Sequence, residues 1–265
     1  MQSGSLSRRW FVTLALAAAA CGRAAGNAQT PAAPGGRRRL HTDPANAGLS
    51  ARPREPSLPA PAGLNRIELT PGSNRGLLYV PGNYSTERPL PLLVLLHGAR
   101  GGAQGVIAPM TALAEAAGII IVAPEARRRT WDVILGGFGA DITAIDEVLD
   151  WSFERCAVDR KRLAIGGFSD GASYALSVGL ANGDLFTHVL AFSPGFMEPP
   201  AIVGRPRIFV SHGTMDEVLG IDASSRVFVP SLKGAGYQVR YHEFDGSHAV
   251  PPYIAREALD WFTGA

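Results

Sequence analysis

Apolar residues fall in short unbroken runs along most of this chain. Runs at 77–80, 92–96, 119–122, 163–165, 189–192 and 208–210 are rich in Leu, Ile, Val and Phe, and 239–244, where polar residues alternate with apolar ones, reads as a further strand. Continuous rather than alternating hydrophobicity predicts strands buried on both faces, as in a parallel sheet. Between these runs, apolar positions recur at helical spacing and predict helices over 110–117, 141–153, 172–180, 223–234 and 253–262. In the second of these, Ile142, Ile145, Leu149 and Phe153 share one face, and Asp141 is placed to cap the amino terminus. Pro230 should kink or split the fourth. Strands alternating with helices predict an α/β fold, a three-layer αβα sandwich around a mostly parallel sheet. No internal repeat is found.

The first 63 residues break the pattern. Arg8 and Arg9 precede the apolar stretch from Phe11 to Ala20, which is too short for a membrane span. Residues 1–28 therefore read as an export signal, with Ser7-Arg8-Arg9-Trp10-Phe11 resembling a twin-arginine signal. Two processing routes are open. Ala18-Ala19-Ala20-Cys21 resembles a lipobox with Ala18 in the usual leucine position, and Gly26-Asn27-Ala28 offers ordinary cleavage. Residues 29–63, with Arg37-Arg38-Arg39 and many prolines and no hydrophobic period, read as a disordered linker. This leaves residues 64–265 as one catalytic domain, long enough for a sizeable core.

Charge follows the same division. Residues 1–63 hold eight Arg against Asp43 and Glu55, a net of +6, so the remainder carries −4 of the overall +2. The basic character belongs to the tail, and a nucleic-acid partner is not expected for the domain. The chain has two cysteines, Cys21 and Cys156, which do not make a disulfide framework. No metal-ligand spacing and no Gly-x-Gly-x-x-Gly occur, so no cofactor is expected.

The chemistry is concentrated at strand ends. Gly167-Phe168-Ser169-Asp170-Gly171 lies between a strand-like run and a small-residue helix-like run. A serine on such a turn is presented as a nucleophile, with the Asp170 N–H at the start of the following helix. It needs a base and a group to orient that base. Of six histidines, His41 lies in the tail, His188 and His242 lie in strands, and His97 and His212 end strands before glycines. His248 lies on a loop after the last strand, where a base can reach across to a nucleophile. Asp216, on the loop leaving the strand at 208–210, fits the acid, with Glu217 the nearest competitor and Asp222 and Asp245 weaker ones. A second oxyanion donor is expected from the loop after the strand at 92–96, at Ala99 N–H.

Taken together, Leu96-His97-Gly98, Gly166-Gly167-Phe168-Ser169-Asp170-Gly171, His212-Gly213-Thr214-Met215-Asp216 and Gly246-Ser247-His248 resemble the α/β-hydrolase superfamily. Within it the chain is similar to small bacterial phospholipase/carboxylesterase and polyhydroxybutyrate-depolymerase-like esterases over about residues 64–263, including Trp131-Asp132 and Gly136-Gly137-Phe138-Gly139. The resemblance implies Ser169 as nucleophile, Asp216 as acid, His248 as base, and Ala99 and Asp170 as oxyanion donors. Arg100 departs from it, placing a cation where such loops are small or neutral.

Only 24 positions separate Phe192 from Asp216, too few for a lid domain, which predicts an open groove. Arg100, Trp131, Phe138, Phe168, Phe196 and Met215 are its candidate substrate contacts. The expected function is cleavage of small or polymeric carboxylic esters through an acyl-enzyme. A serine peptidase and a non-catalytic binding lipoprotein of the same fold are the alternatives. The expected location is outside the cytoplasm: periplasmic, secreted, or tethered to the envelope membrane through a lipidated Cys21.

Overall fold

The computed structural model of the protein describes residues 47–70 and 72–265. The expected export signal, Cys21, His41 and the first part of the linker lie outside these residues. Among the described residues an eight-stranded sheet runs in the order β1-β2-β4-β3-β5-β6-β7-β8. The strands are β1 (Gly63–Glu68), β2 (Asn74–Val80), β3 (Leu90–Leu96), β4 (Ile120–Pro124), β5 (Val158–Phe168), β6 (His188–Phe192), β7 (Arg207–Gly213) and β8 (Val239–Phe244). β2 pairs antiparallel with β1 and β4, and every later pairing is parallel. All residues of β3, β4 and β6 are buried, which is why they read as unbroken apolar runs.

Helices cover both faces. α3 (Ala140–Phe153), α4 (Asp170–Ala181) and α5 (Ser225–Gly234) close one core. α1 (Ala103–Ile107), α2 (Thr111–Ala117) and α6 (Pro252–Thr263) close the other. All seven expected strands and all five expected helices are present. β1 and α1 are additional. β1 gave no hydrophobic signal because it is an edge strand with only Ile67 buried.

Two local expectations need correction. α5 runs unbroken through Pro230, which is exposed near the middle of this short helix. Asp141 is not the cap of α3, because Gly139 occupies that position. The Asp141 carboxylate instead turns back to accept the N–H groups of Arg127 and Asp132, at 2.8 Å each.

The linker expectation also changes. From Ala47 onward the segment is strapped to the domain, not free. Asn182 bonds Leu49 N–H and Ala47 C=O, and the buried Asp146 carboxylate accepts Ser50 N–H, Ser50 Oγ–H and Ala51 N–H. Arg52 pairs with Asp184, Arg54 with Asp150, and the N–H groups of Ser57 and Leu58 reach Glu154 C=O. Ala47, Leu49 and Ala51 join the core. The domain thus begins by residue 47. The strap has no hydrophobic period because polar anchors on α3 and just past α4 hold its backbone.

Cys156 is a buried free thiol whose pKa burial pushes up to about 12, so it stays protonated. His188 is buried beneath Trp261 and Phe262. Burial, helped by the Arg207 charge, lowers its pKa from 6.5 to about 4. The unfolded chain therefore takes up a proton below pH 6.5 that the folded chain refuses until about pH 4. Stability should fall as pH drops through that window, by up to about 3 kcal/mol from this residue. Chemical denaturation at pH 7 and pH 4.5 checks this: His188→Gln should lose distinctly less stability across the interval than the wild type. Equal losses would assign the acid sensitivity elsewhere.

Candidate active site

Three strands deliver the site at their carboxyl ends. β5 ends at Phe168, α4 starts at Asp170, and Ser169 between them has φ +58° and ψ −124°. That left-handed backbone is costly for a serine, on the order of 1–3 kcal/mol, and is held by the flanking glycines. A Cβ on Gly167 would stand 2.5 Å from Gly171 C, and one on Gly171 would stand 2.3 Å from Leu96 O. Both obstacles are backbone and have nowhere to go. Gly171→Ala should therefore cost at least about 3 kcal/mol in a denaturation experiment, against little for an exposed control such as Gly105→Ala.

The structure brings Ser169, His248 and Asp216 together. His248 Nε2 lies 2.9 Å from Ser169 Oγ, and His248 Nδ1 lies 2.6 Å from Asp216 Oδ2. Ser169 is only 8% exposed, less open than a turn tip suggests, and the Phe168 and His248 rings pack on each other at 4.7 Å. Asp216 Oδ1 accepts the N–H groups of Val218 and Leu219. Burial works to raise the Asp216 pKa, but the bonds from Leu219, His248 and Val218 outweigh it and hold the group below its ordinary value. Glu217 is exposed and takes no part.

Sequence reasoning missed a second histidine at the acid. His212 is fully buried, and its Nε2 lies 2.7 Å from Leu219 O and 3.1 Å from Asp216 Oδ2. The carbonyl fixes the proton on Nε2, and Ser225 Oγ donates to Nδ1 at 2.7 Å. Burial lowers the His212 pKa, so a neutral imidazole, its N–H given to Leu219 O, stands against Asp216 Oδ2. The His-x-x-x-Asp spacing at the end of β7 was the available signal.

The expected oxyanion loop lies against the serine: a Cβ on Gly98 would stand 3.2 Å from Ser169 Cβ. Ala99 N–H meets no acceptor among the described residues, and Asp170 N–H is in the first turn of α4, where helical donors are unpaired. His97 braces this loop. Its Nδ1–H donates to Gly98 O, its Nε2 accepts Ala126 N–H, and its C=O takes the Trp131 Nε1–H at 2.8 Å.

The candidate substrate contacts divide. Trp131 is completely buried against His97 and Tyr174, so it is a brace rather than a groove residue, and that expectation is corrected. Phe138 is half-buried on Tyr174, Phe168 packs on His248, and Phe196 is half-buried with its N–H directed at Ser173 Oγ. Met215 and Arg100 are exposed. Among the described residues no group of three His, Cys, Asp or Glu side chains is arranged to hold a metal.

Comparison with known proteins follows these features. The phospholipase/carboxylesterase family matches residues 135–260. No curated protein sequence matches significantly. Among solved structures, esterase PE8 is similar with 21% identity and a TM-score of 0.60, covering 72% of this chain and 98% of its own. An S-formylglutathione hydrolase from Staphylococcus aureus gives 16% identity and a TM-score of 0.60, with coverage of 76% and 100%. The Bacillus cereus carboxylesterase gives 20% identity and a TM-score of 0.52, with coverage of 66% and 88%. The chain is thus an α/β-hydrolase by fold, and over residues 135–260 it resembles the phospholipases and carboxylesterases.

Proposed function

We propose that this protein is a serine esterase that cleaves carboxylic esters through an acyl-enzyme. The observation that carries this reading is the unbroken chain from Ser169 Oγ through His248 to Asp216, at 2.9 and 2.6 Å. His248 Nε2 takes the Ser169 proton as Oγ attacks the ester carbonyl carbon. The developing oxyanion is held by the N–H groups of Ala99 and Asp170. The tetrahedral adduct collapses, the carbon–oxygen bond to the alcohol breaks, and His248 returns the proton to the departing oxygen. Water then attacks the acyl carbon, with His248 again taking the proton, and the carboxylic acid leaves as Ser169 is restored. Asp216 keeps the imidazole in the tautomer with hydrogen on Nδ1 and stabilises its cation.

No lid is interposed between β6 and Asp216, which supports use on a range of acyl groups. A fluorophosphonate probe should label the wild type and leave Ser169→Ala unlabelled, and aryl esters of increasing acyl length should then define the preference. Labelling that persists in the variant would overturn the reading.

Export to the cell envelope is proposed from the amino-terminal sequence. Ala47 is held at Asn182, just beyond the end of α4 remote from Ser169. The amino-terminal segment therefore joins the domain away from the nucleophile, which suits a tether. The mass of the mature amino terminus distinguishes a lipidated Cys21 from cleavage near Ala28.

A further inference from the structure

From Ala47 onward the folded part is net acidic, with 19 basic residues against 22 acidic ones. Yet four of its arginines are gathered beside the nucleophile. Arg100 directly follows the oxyanion donor Ala99, and Arg127-Arg128-Arg129 lie on the loop leaving β4. The two loops are joined by Arg100 N–H donating to Arg129 O at 2.6 Å. The second loop is in turn tied to the nucleophile turn, because Thr130 Oγ1 donates to the Asp170 carboxylate at 2.6 Å.

All four side chains are exposed. Elsewhere the domain pairs several exposed arginines with acids: Arg52 with Asp184, Arg162 with Asp159, and Arg240 with Glu257. Among the described residues Arg100, Arg128 and Arg129 form no such ion pair. Four acids on the neighbouring segments keep their charge but turn their oxygens to neutral donors rather than to these guanidinium groups. Asp141 holds two backbone N–H groups, Asp132 takes Tyr174 O–H and Asp141 N–H, Asp170 takes Thr130, and Glu125 takes Ala103 N–H. Arg127 lies close enough to Asp141 for its charge to act on that carboxyl.

Arg100 has φ +58°, a backbone better suited to glycine or asparagine, so its loop geometry gives no reason for an arginine there. Beside the rim a cavity of about 390 Å³ is lined by Arg127, Arg128, Leu135, Phe138 and the glycines near them, and also by Asp132 and Asp141, whose oxygens are taken up by neutral donors.

We propose that the site selects esters whose non-reacting part carries an anionic group, a carboxylate or a phosphate, held by the rim of Arg100, Arg128 and Arg129. This rests on Ser169 being the esterase nucleophile. Guanidinium forks suit both anions, and several together act where a single exposed pair does little.

The test compares kcat/KM for matched aryl esters: one neutral, one ending in a carboxylate and one ending in a phosphate. The anionic-over-neutral ratio is measured in the wild type, Arg100→Gln, Arg128→Gln/Arg129→Gln, and the variant that combines all three changes. At low ionic strength it should fall about 2- to 3-fold in the first variant and about 10-fold when all three changes are combined. About 0.5 M salt should reduce the wild-type ratio in the same direction. Whichever anion shows the larger fall is the one the rim prefers. A ratio unchanged in every variant, with neutral ester still cleaved, would overturn this proposal and leave the esterase reading standing. No turnover of any ester by the wild type would instead overturn the esterase reading itself.

Discussion

Ser169→Ala should lower ester turnover by about three orders of magnitude or more while leaving the thermal unfolding midpoint within a few degrees of the wild type. The hydroxyl is the atom that bonds to substrate, and His248 Nε2 at 2.9 Å has no other nucleophile within the described hydrogen bonds. What survives is the contribution of the two oxyanion donors and of substrate positioning. Stability should change little, because alanine inherits the same backbone between Gly167 and Gly171 and Ser169 Oγ bonds only His248. Initial rates on an aryl ester and a melting curve on the same preparation measure both quantities. A folded variant that retains a tenth of the activity would remove Ser169 from the mechanism.

Asp216→Asn should cost nearly as much, about three to four orders of magnitude in kcat, whereas Glu217→Gln should change it less than about twofold. The asparagine carbonyl can still accept Val218 and Leu219 N–H. Its amide then faces His248 Nδ1 and His212 Nε2–H. An amide N–H donating to His248 Nδ1 would pull that imidazole into the tautomer that carries hydrogen on Nε2, facing Ser169. That imidazole cannot take the serine proton. Equal losses from the two substitutions, or a larger loss from Glu217→Gln, would move the acid away from Asp216.

Most of the sheet was legible in the chain because its central strands are buried on both faces. A strand such as Leu90–Leu96 has no polar position to interrupt the run. The edge strand β1 and the strap from Ala47 carry no such signature. Their order comes from backbone hydrogen bonds to partners remote in the chain, such as Asp146 and Asn182. Trp131 shows the same limit in reverse: an aromatic residue near a motif reads equally as a groove wall or as a brace. Only its Nε1–H bond to His97 O and its complete burial decide for the brace.

The sequence by itself determined the parallel α/β architecture, the strained turn at Ser169 and the order Ser169, Asp216, His248. Each of these depends on local chemistry: apolar runs, glycines that clear a turn, and polar residues just past strand ends. Tertiary structure alone decided that His212 stands against the acid, that Asp141 closes the loop before α3, and that the loop of Arg127-Arg128-Arg129 is bonded to Arg100. These relations join segments whose separation along the chain has no bearing on their distance in space. They are set by β4 and β5 lying on either side of β3, with β7 two strands further on, so that loops leaving their carboxyl ends share one edge of the sheet.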